Sequence, residues 1–418
     1  MAFDATVQLR AVCAKIGSGA TPRGGKDAYN GGATTLIRSQ NVYNEGFRRD
    51  GLVYIDDNQS AELRNVEVKA NDVLLNITRD SVARCCQVAA DVLPARVNQH
   101  VAIIRPDPKA LDARFLRYVL VSRDFQSRLF GLASAGATRP ALTKSMIEEL
   151  DVPSPPIAEQ KAIATALGIL DDKIDLNLRM NATLEAMACA LFQSWFVDFD
   201  PVRAKLDGRA PVGMDAETAS WFPDAFEESA NGQIPRGWRA GQLGELCNLK
   251  RGHDLPSSVR SVGSIPIVSS SGISGTHGSA MAGGPGVVTG RYGTIGKVFF
   301  VSRDFWPLNT TLYVDDFRGN PERFVFHALG LIEFRKYSDK GAVPGVNRNE
   351  LLTDPIVLPP ERLRERFATV VAPLWERNEH NANESVTLAT MRDTLLPQLL
   401  SGSLRLTNTN GHVLDTEN

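Results

Sequence analysis

The sequence of 418 residues lacks the long apolar runs that membrane-spanning proteins need. A helix that crosses a bilayer requires roughly 20 consecutive apolar residues, and no stretch of the chain approaches that length. A secretory signal, which joins a basic start to an apolar run, is also missing. Hydrophobic residues make up 43% and charged residues 22% of the chain, as is typical of globular proteins. We therefore expect a cytoplasmic protein of about two to four domains.

Cysteine is scarce, and its spacing excludes the common zinc and redox motifs. The five cysteines are odd in number, and no two are separated by the two residues that zinc knuckles and redox dithiols use. The six histidines are scattered without the spacing of metal ligands. We expect free, buried thiols and no metal site.

Recognisable catalytic motifs are absent as well. The segment GRYGTIGKV (residues 290–298) resembles a phosphate-binding loop, but Gly290 lies one residue too far from Gly296. Val298 also stands where that loop needs a magnesium-binding Ser or Thr. The segment GSGATPRGG (residues 17–25) lacks the spacing of a dinucleotide-binding turn. The sequence therefore predicts a protein without an active site of its own.

Charge of either sign is nearly balanced overall, but its distribution along the chain is uneven. Residues 1–150 carry 20 Lys and Arg against 16 Asp and Glu, and residues 236–357 carry 14 against 10. The segments 151–200, 201–235 and 358–418 are acidic. Two basic bodies, residues 1–150 and 236–357, thus alternate with acidic segments. The net charge of −2 is therefore compatible with two nucleic-acid-binding regions.

Internal repetition is the most informative feature of the sequence. Four segments of the first half recur in order in the second: LRAVC (9–13) as LGELC (243–247), NDVLLNITRDSVARCCQV (71–88) as GPGVVTGRYGTIGKVFFV (284–301), GATRPALTKSMI (136–147) as GAVPGVNRNELL (341–352), and VPSPPIAEQKAIATALGIL (152–170) as IVLPPERLRERFATVVAPL (356–374). The order along the chain is therefore body, helix, body, helix.

The repeat predicts an α+β protein. Short β-rich runs in each body are broken by Gly, Asn, Asp and Pro and followed by a helix, which indicates two mixed α/β domains. Two long helices separate these domains as an antiparallel coiled coil with pseudo-two-fold symmetry. The predicted boundaries are 1–154 for the first domain, 155–200 for the central helix, 201–235 for a connector, 236–357 for the second domain, 358–405 for the C-terminal helix and 406–418 for a tail.

Both predicted helices carry a heptad seam with polar residues near its centre. The seam comprises Leu167, Leu170, Ile174, Asn177, Asn181, Leu184 and Leu191 in the first copy and Val371, Leu374, Asn378, Asn381, Leu388 and Leu395 in the second. A buried amide needs a polar partner, so antiparallel pairing would set Asn177 and Asn181 against Asn378 and Asn381. The alternative is that these residues line the solvated edges of two unrelated helices. Pro373 is expected to break or kink the second helix.

Candidate DNA contacts are polar and basic residues in the loops of the two bodies, which can reach phosphates and base edges. They are Thr21, Arg23, Arg38, Ser39, Gln40, Asn41, Arg79 and Arg139 in the first body and Ser269, Ser270, Ser271, Arg291, Tyr292, Lys297, Asn347 and Arg348 in the second.

Taken together, these motifs resemble the specificity subunit (HsdS) of type I restriction-modification systems. The resemblance covers nearly the whole chain and is strongest in PPIAEQKAIATALGILDDKIDLNLRMNATLEAMACALFQSWFVDFDPV (residues 155–202). Weaker matches are GATP (19–22), IPRGW (234–238) and LLPQLLSGSLRL (395–406). Pro373 and the divergent ERLRERF segment depart from the family's strict helix symmetry.

The resemblance implies a non-catalytic DNA-recognition subunit. In that family, two target recognition domains each read one half of a split DNA site, and two helices set the spacing. The helices, with Asp198 to Val202, would dock two modification subunits that methylate adenine, and restriction subunits would join them. The resemblance implies no cofactor here and places S-adenosylmethionine, ATP and magnesium in the partner subunits. Gly19, Thr21 and Pro22 match the family's opening turn.

Two alternatives remain open from the residues alone. A fused or stand-alone modification enzyme would methylate DNA as an isolated chain. A helical scaffold whose globular domains bind proteins would show no DNA binding, even with modification subunits present.

Overall fold

The computed structural model describes residues 5–24, 29, 31–135, 140–337 and 345–406. The chain divides into two compact units. The first unit comprises Met1–Asn177 with Asn383–Asn418, and the second comprises Leu178–Ala382. Each unit therefore combines one body with part of each long helix, rather than separating bodies from helices.

The first unit holds twelve strands and five short helices among its described residues. The strands are β1 (Thr6–Gln8), β2 (Cys13–Ser18), β3 (Thr34–Ile37), β4 (Val42–Tyr43), β5 (Gly46–Phe47), β6 (Val53–Ile55), β7 (Glu67–Val68), β8 (Val73–Asn76), β9 (Cys85–Gln87), β10 (Ala95–Val97), β11 (Val101–Pro106) and β12 (Asp151–Pro153). The helices are α1 (Leu9–Val12), α2 (Asp57–Glu62), α3 (Ala113–Val121), α4 (Arg123–Ser134) and α5 (Lys144–Glu148).

Two four-stranded sheets form the first body. One has the order β2-β11-β8-β9 and the other β6-β3-β10-β7, in which β3 and β10 run parallel. Strand β8 is buried along its whole length, as its sequence VLLN favours. Helix α3 begins where the Asp112 carboxylate accepts a hydrogen bond from Phe115 N at 2.9 Å, and its apolar face packs on the first sheet.

The second unit contains eleven strands and five short helices in the part of the chain that the structure describes. The strands are β13 (Phe226–Ser229), β14 (Gly232–Pro235), β15 (Arg239–Gln242), β16 (Asn248–Arg251), β17 (Ile265–Ser269), β18 (Gly272–His277), β19 (Gly286–Gly290), β20 (Val298–Val301), β21 (Trp306–Pro307), β22 (Thr311–Asp316) and β23 (Pro355–Leu358). The helices are α7 (Asp200–Leu206), α8 (Ala216–Ser220), α9 (Leu243–Leu246), α10 (Glu322–Gly330) and α11 (Arg348–Leu351).

The second body repeats the strand order of the first. Its main sheet has the order β16-β22-β19-β20, and β17 and β21 run parallel like β3 and β10. The repeat seen in the sequence is shifted by one residue in β8. Asn76 pairs with the first residue of β11, and the residue that pairs with the first residue of β22 is Gly290, whereas the sequence match had placed Thr289 there. The duplication predicted from sequence is therefore present in the topology.

Two helices of 40 residues each follow the bodies: α6 (Ile157–Phe196) and α12 (Glu361–Leu400). Pro373 was expected to break or kink the second helix; it does not break it, since α12 continues through it. Proline cannot donate to the carbonyl four residues earlier, which costs a free helix about 3 kcal/mol. Burial of Phe367 and Val371 on the neighbouring turns offsets this cost.

Polar contacts join the two helices within each unit. In the first unit, Asn177 Nδ2 donates to Glu384 Oε2 at 2.8 Å and to Ser385 Oγ at 3.3 Å. Lys173 Nζ also pairs with Glu384 at 3.2 Å. These partners differ from Asn378 and Asn381, which antiparallel pairing was expected to place against Asn177.

In the second unit, the amide contact expected from the sequence is present. Asn381 Nδ2 donates to Asn181 Oδ1 at 2.8 Å, and Asn181 Nδ2 donates to the Asn378 carbonyl at 3.1 Å. Asn378 Nδ2 in turn donates to Glu185 Oε1 at 3.0 Å. As the residue number rises along α6, the number of its contact on α12 falls: Asp171 contacts Arg392, Asn177 contacts Glu384 and Asn181 contacts Asn381. The two helices are therefore antiparallel within each unit.

The connector, the stretch around Phe199 and the cysteines each differ in part from what the sequence suggests. Residues 201–235 are more than a connector, because Phe222 and Ile234 are buried in the aromatic core of the second unit. In the proposed docking stretch, Phe199 and Val202 are also buried there, which leaves Asp198 and Asp200 exposed. All five cysteines are free, but Cys13 is only half-buried and Cys189 is exposed.

The core of the second unit contains a buried histidine. The ring of His327 lies 5.4 Å from the rings of both Phe192 and Phe367 and 6.1 Å from that of Trp375, measured between centroids. Burial, reinforced by the Arg323 guanidinium, lowers the pKa of His327 to about 4. The folded protein therefore holds this ring neutral at physiological pH.

We predict that His327 makes the protein acid-sensitive. The unfolded chain takes up a proton near the ordinary pKa of 6.5, whereas the folded ring stays neutral down to about pH 4. As the pH falls from 6.5 to about 4, protonation of His327 in the unfolded chain should therefore lower the free energy of unfolding by about 3 kcal/mol. His327→Phe should remove that loss in denaturant titrations at pH 7 and pH 4, whereas His380→Gln, at an exposed position of α12, should not. Equal acid sensitivity in wild type and His327→Phe would contradict the assignment.

Candidate nucleic-acid interface

A tight turn between β10 and β11 organises one end of the first body. Gly19 N donates to Val101 O at 2.9 Å and Ala20 N donates to Val97 O at 3.0 Å, so the segment after β2 lies directly against this turn. A Cβ on Gly19 would lie 2.1 Å from Val97 O, closer than any side chain allows. Glycine is therefore required here by close backbone approach.

Two further loops meet the same turn. Asn98 N donates to Ile37 O at 3.0 Å, which brings in the loop that begins at Arg38. Ile77 N donates to His100 O at 3.0 Å, which brings in the loop that carries Arg79. Three loops that are distant in sequence thus converge, and between them they carry every described candidate of the first body.

The loop after β3 presents Arg38 and Gln40 and buries Asn41. Arg38 Nη2 donates to Gly51 O at 2.6 Å, and Gln40 Nε2 donates to the same oxygen at 3.3 Å. Asn41 is fully buried, and its Nδ2 donates to Arg48 O at 3.0 Å and to Asp50 O at 3.1 Å. The prediction of a DNA contact for Asn41 is therefore wrong, because its amide stabilises the loop.

The other candidates of the first body differ in exposure. Arg23 and Arg79 are exposed, and Arg79 adopts a left-handed backbone with φ of 62°. Ser39 is half-buried, and its carbonyl accepts a hydrogen bond from Asn76 Nδ2 at 2.9 Å. The Thr21 hydroxyl is buried, so we assign Thr21 to the turn rather than to ligand contact. Arg139 lies outside the described residues.

A histidine at this surface is uncharged at neutral pH. Burial and the neighbouring Arg79 guanidinium lower the pKa of His100 below its ordinary value. Its Nδ1 lies 2.8 Å from Thr78 Oγ1. His100 therefore offers hydrogen-bonding capacity to this surface but no positive charge.

The second body builds the same arrangement from different side chains. Gly252 N donates to Thr311 O at 3.1 Å and His253 N to Pro307 O at 2.7 Å, which repeats the contacts of Gly19 and Ala20. Leu308 N donates to Val268 O at 2.8 Å, and Arg291 N donates to Thr310 O at 2.8 Å. These four backbone bonds match those of the first body one for one.

The converging loops of the second body carry Ser269 to Ser271 and Arg291 with Tyr292. Ser269 Oγ lies 3.0 Å from Ser271 Oγ and donates to Gly272 O at 2.9 Å, which closes the serine loop. The Cβ of Ser270 lies within 3.2 Å of the position that a Cβ on Gly290 would take, so this loop packs on the end of β19. The Arg291 guanidinium stacks 4.5 Å above the Tyr292 ring.

A basic cleft of about 400 Å³ lies beside this surface. Its polar lining comes from Arg251, Arg291, Tyr292, Asn347, Arg348 and Asn349. Three guanidiniums in one cleft attract an anion, and arginine also pairs with guanine edges. Lys297 is exposed but does not line this cleft.

Sequence reasoning missed several residues of these surfaces. Arg251 lines the basic cleft, and its position immediately before the close-packed Gly252 is the signal that could have identified it. In the first body, the guanidiniums of Arg48 and Arg84 lie 3.7 Å and 4.6 Å from the centroid of the Tyr43 ring. No spacing in the sequence indicates these contacts, because Arg84 comes from a different hairpin.

Two structural findings bear on other classes of function. Among the described residues, no group of three or more His, Cys, Asp or Glu side chains is arranged to hold a metal ion. No helix in the described ranges combines the length and the apolar character needed to cross a membrane.

Comparison with known proteins identifies the class to which this fold and surface belong. Residues 5–186 match the family model of the type I restriction modification DNA specificity domain. The MjaIX specificity subunit of Methanocaldococcus jannaschii is 25% identical over 75% of this chain and 74% of its own length. The HindI specificity subunit of Haemophilus influenzae is 26% identical over 81% of this chain and 87% of its own length.

The fold has a counterpart among solved structures. The type I restriction-modification S subunit from M. genitalium superposes with a TM-score of 0.52, covering 94% of this chain and 95% of that chain at 17% identity. This likeness shows that the two proteins share a fold. The matched domain and these two relatives support a type I restriction-modification specificity subunit, which provides DNA sequence specificity rather than catalysis.

We predict that Gly19→Ala lowers the affinity for target DNA by about tenfold or more, equivalent to about 1.4 kcal/mol. The added Cβ would overlap Val97 O and push the opening turn away from the other two loops. Gly17→Ala is the matched control, because a Cβ at Gly17 meets no atom within 4 Å. Filter binding with both variants, alongside circular dichroism, measures the effect. Wild-type affinity in Gly19→Ala would show that the turn does not shape the DNA-binding surface.

Proposed function

We propose that this specificity subunit reads a bipartite DNA target, with the three-loop surface of each body contacting one half. The observation that carries the proposal is the repetition of that surface: the same four backbone hydrogen bonds assemble it in both bodies. The side chains that it presents differ, with Arg38 and Gln40 in the first body and Ser269 and Ser271 in the second. Identical scaffolds with different polar groups suit the reading of two different base sequences.

The long helices supply the spacing in this proposal, as an antiparallel coiled coil between the two reading surfaces. Forty residues at 1.5 Å each make a helix of roughly 60 Å. Proteins that bind two half-sites hold their reading elements about 34–36 Å apart, or a multiple of that distance. The contacts of Asn177 with Glu384 and of Asn181 with Asn381 support a fixed register between the helices.

The proposed partners are two modification subunits, which methylate adenine, and restriction subunits that complete a cytoplasmic complex. S-adenosylmethionine, ATP and magnesium belong to those partners in this proposal, and this chain holds no cofactor. Long helices that keep apolar side chains in solvent favour a docking role. Ile169 and Leu176 of α6 are 63% and 46% exposed, and Val386 and Met391 of α12 are 68% and 48% exposed.

Exchange of one body tests the two-part reading. Replacing residues 1–150 with the corresponding body of a relative should change one half of the methylated target and leave the other half intact. The measurement is the mapping of methylated adenines after expression with the modification subunits. Replacement of residues 236–357 is the reciprocal control and should change the opposite half.

A change in both halves after one exchange would refute independent reading. Affinity of the complex for DNA should fall steeply with salt, because bound phosphates release counterions. A flat salt response together with unaltered methylation would instead indicate that the bodies bind proteins.

Substitution of the polar seam residues tests whether the helices set the spacing between the half-sites. Asn177→Leu combined with Asn181→Leu should leave the helices folded, because apolar residues pack well in such a seam, but it should loosen their register. We expect the double variant to accept targets whose half-sites are one base pair closer or farther apart, measured by methylation of a spacer series. Leu184→Ile, a neutral change in the same seam, serves as control. Unchanged spacer preference in the double variant would remove the register argument.

A further inference from the structure

A partly buried ionic cluster joins the first body to both long helices. The Asp171 carboxylate of α6 accepts hydrogen bonds from Arg117, from the Tyr118 hydroxyl at 2.7 Å and from Arg392 Nη1 at 2.8 Å. The side chains of Arg117, Asp171 and Arg392 are only 8%, 17% and 16% exposed. Asp171 thus ties α3 of the body to α6 and α12 in the first unit.

The cluster is held in its charged form. Burial alone would raise the pKa of Asp171, but the Arg117 guanidinium, the Tyr118 hydroxyl and the Arg392 guanidinium together lower it below its usual value. An ionic pair with so little solvent is strongly destabilised when one partner is neutralised, because the other charge stays buried.

A chain of hydrogen bonds leads from this cluster to the turn of the hairpin β4–β5. Arg117 Nη2 donates to Asn44 O at 2.7 Å. Asn44 is in turn held by its own side chain, whose Oδ1 accepts from Cys85 N at 2.9 Å and whose Nδ2 donates to Gln126 at 3.2 Å. The position of this turn therefore depends on the direction in which Asp171 holds Arg117.

The same hairpin carries the reading loop. Arg48, directly after β5, donates from its N to Asn41 O at 2.8 Å, and Asn41 Nδ2 donates back to Arg48 O. Asn41 ends the short loop that presents Arg38 and Gln40. Polar contacts, linked through the backbone of the hairpin between Asn44 and Arg48, thus run from Asp171 and Arg392 on the helices to the reading loop of the first body.

The second body meets the helices through different chemistry. In the repeat, Tyr118 corresponds to His327 and Asp171 to Trp375. The rings of Phe326 and Trp375 lie 5.2 Å apart, and the Arg323 guanidinium lies 5.4 Å from the Trp375 ring. An aromatic contact of this kind replaces the ionic cluster, so the directional hydrogen-bond control is specific to the first body.

We propose that Asp171 is a positioning residue for recognition of the first half-site: it orients the Arg38–Gln40 loop relative to the helix pair. This inference rests on the proposed bipartite reading. It assigns to Asp171 a share of the selectivity for spacer length, in addition to its share of stability. The second half-site has no equivalent ionic control and should not respond to the same substitution.

The test compares Asp171→Asn with Asp172→Asn in the complex assembled with its modification subunits. Asp171→Asn keeps the shape of the side chain but removes the charge that orients Arg117 and Arg392. Asp172→Asn removes the same charge from the next residue, whose carboxylate is 67% exposed and pairs with Arg114. DNA affinity is measured for targets whose spacer is shortened or lengthened by one base pair, and for targets with a mutated first or second half.

We expect Asp171→Asn to reduce discrimination between spacer lengths by about tenfold. Penalties for mutations in the first half-site should also shrink, while those in the second half-site stay unchanged. Asp172→Asn should behave as wild type, because exposed ion pairs contribute little. Thermal unfolding of both variants separates loss of folding from loss of orientation.

Two results would overturn the inference. If Asp171→Asn retains the wild-type spacer preference, or weakens binding equally for every spacer and both halves, Asp171 acts only in stability. If wild-type protein is itself indifferent to spacer length, the proposed bipartite reading fails and this inference fails with it. Arg392→Gln removes the other end of the same contact and should reproduce the Asp171→Asn spacer profile; a wild-type profile would likewise refute the assignment.

Discussion

The structure depends on a small number of amide contacts placed near the centre of a largely apolar helix seam. Asn181 can satisfy its side chain only where Asn378 and Asn381 lie opposite, so a slip of α6 along α12 would leave buried amides without partners. Leucine at these positions would pack more strongly but in several registers. These hydrogen bonds favour one register of the two long helices, which is the constraint that the proposed spacing role requires.

The second constraint is the close packing of backbone against backbone in each body. Gly19 and Gly252 lie so near the turn before β11 or β22 that a methyl group would overlap a carbonyl oxygen. Because the scaffold is made by backbone hydrogen bonds, the side chains on the converging loops are free to vary. Arg38 and Ser269 therefore occupy equivalent places with different side chains, as the proposed reading of two half-sites requires.

The two bodies are joined to the helices by different interactions, although their topology is the same. Asp171 and Arg117 make a directional, charged contact in the first unit, whereas His327 and Trp375 make an aromatic contact in the second. Charged hydrogen bonds specify orientation, and aromatic packing is less directional and buries more apolar area. Duplication thus preserved the fold while the interfaces between body and helix diverged in chemistry.

Several features of the protein were decided by sequence alone. The repeat, the extent of α6 and the polar centre of the seam follow from local patterns, because periodicity and proline pairs act over a few neighbouring residues. Tertiary structure decided the rest. Asn41 has the polarity of a surface residue, but it is buried and its amide bonds to Arg48 and Asp50. Pro373 is tolerated within α12, which packs through Val371 and Leu374 on either side of it. Arg251 lines the basic cleft because the fold brings it close to Arg291 and Arg348. Those outcomes depend on residues distant in sequence, and no local pattern contains them.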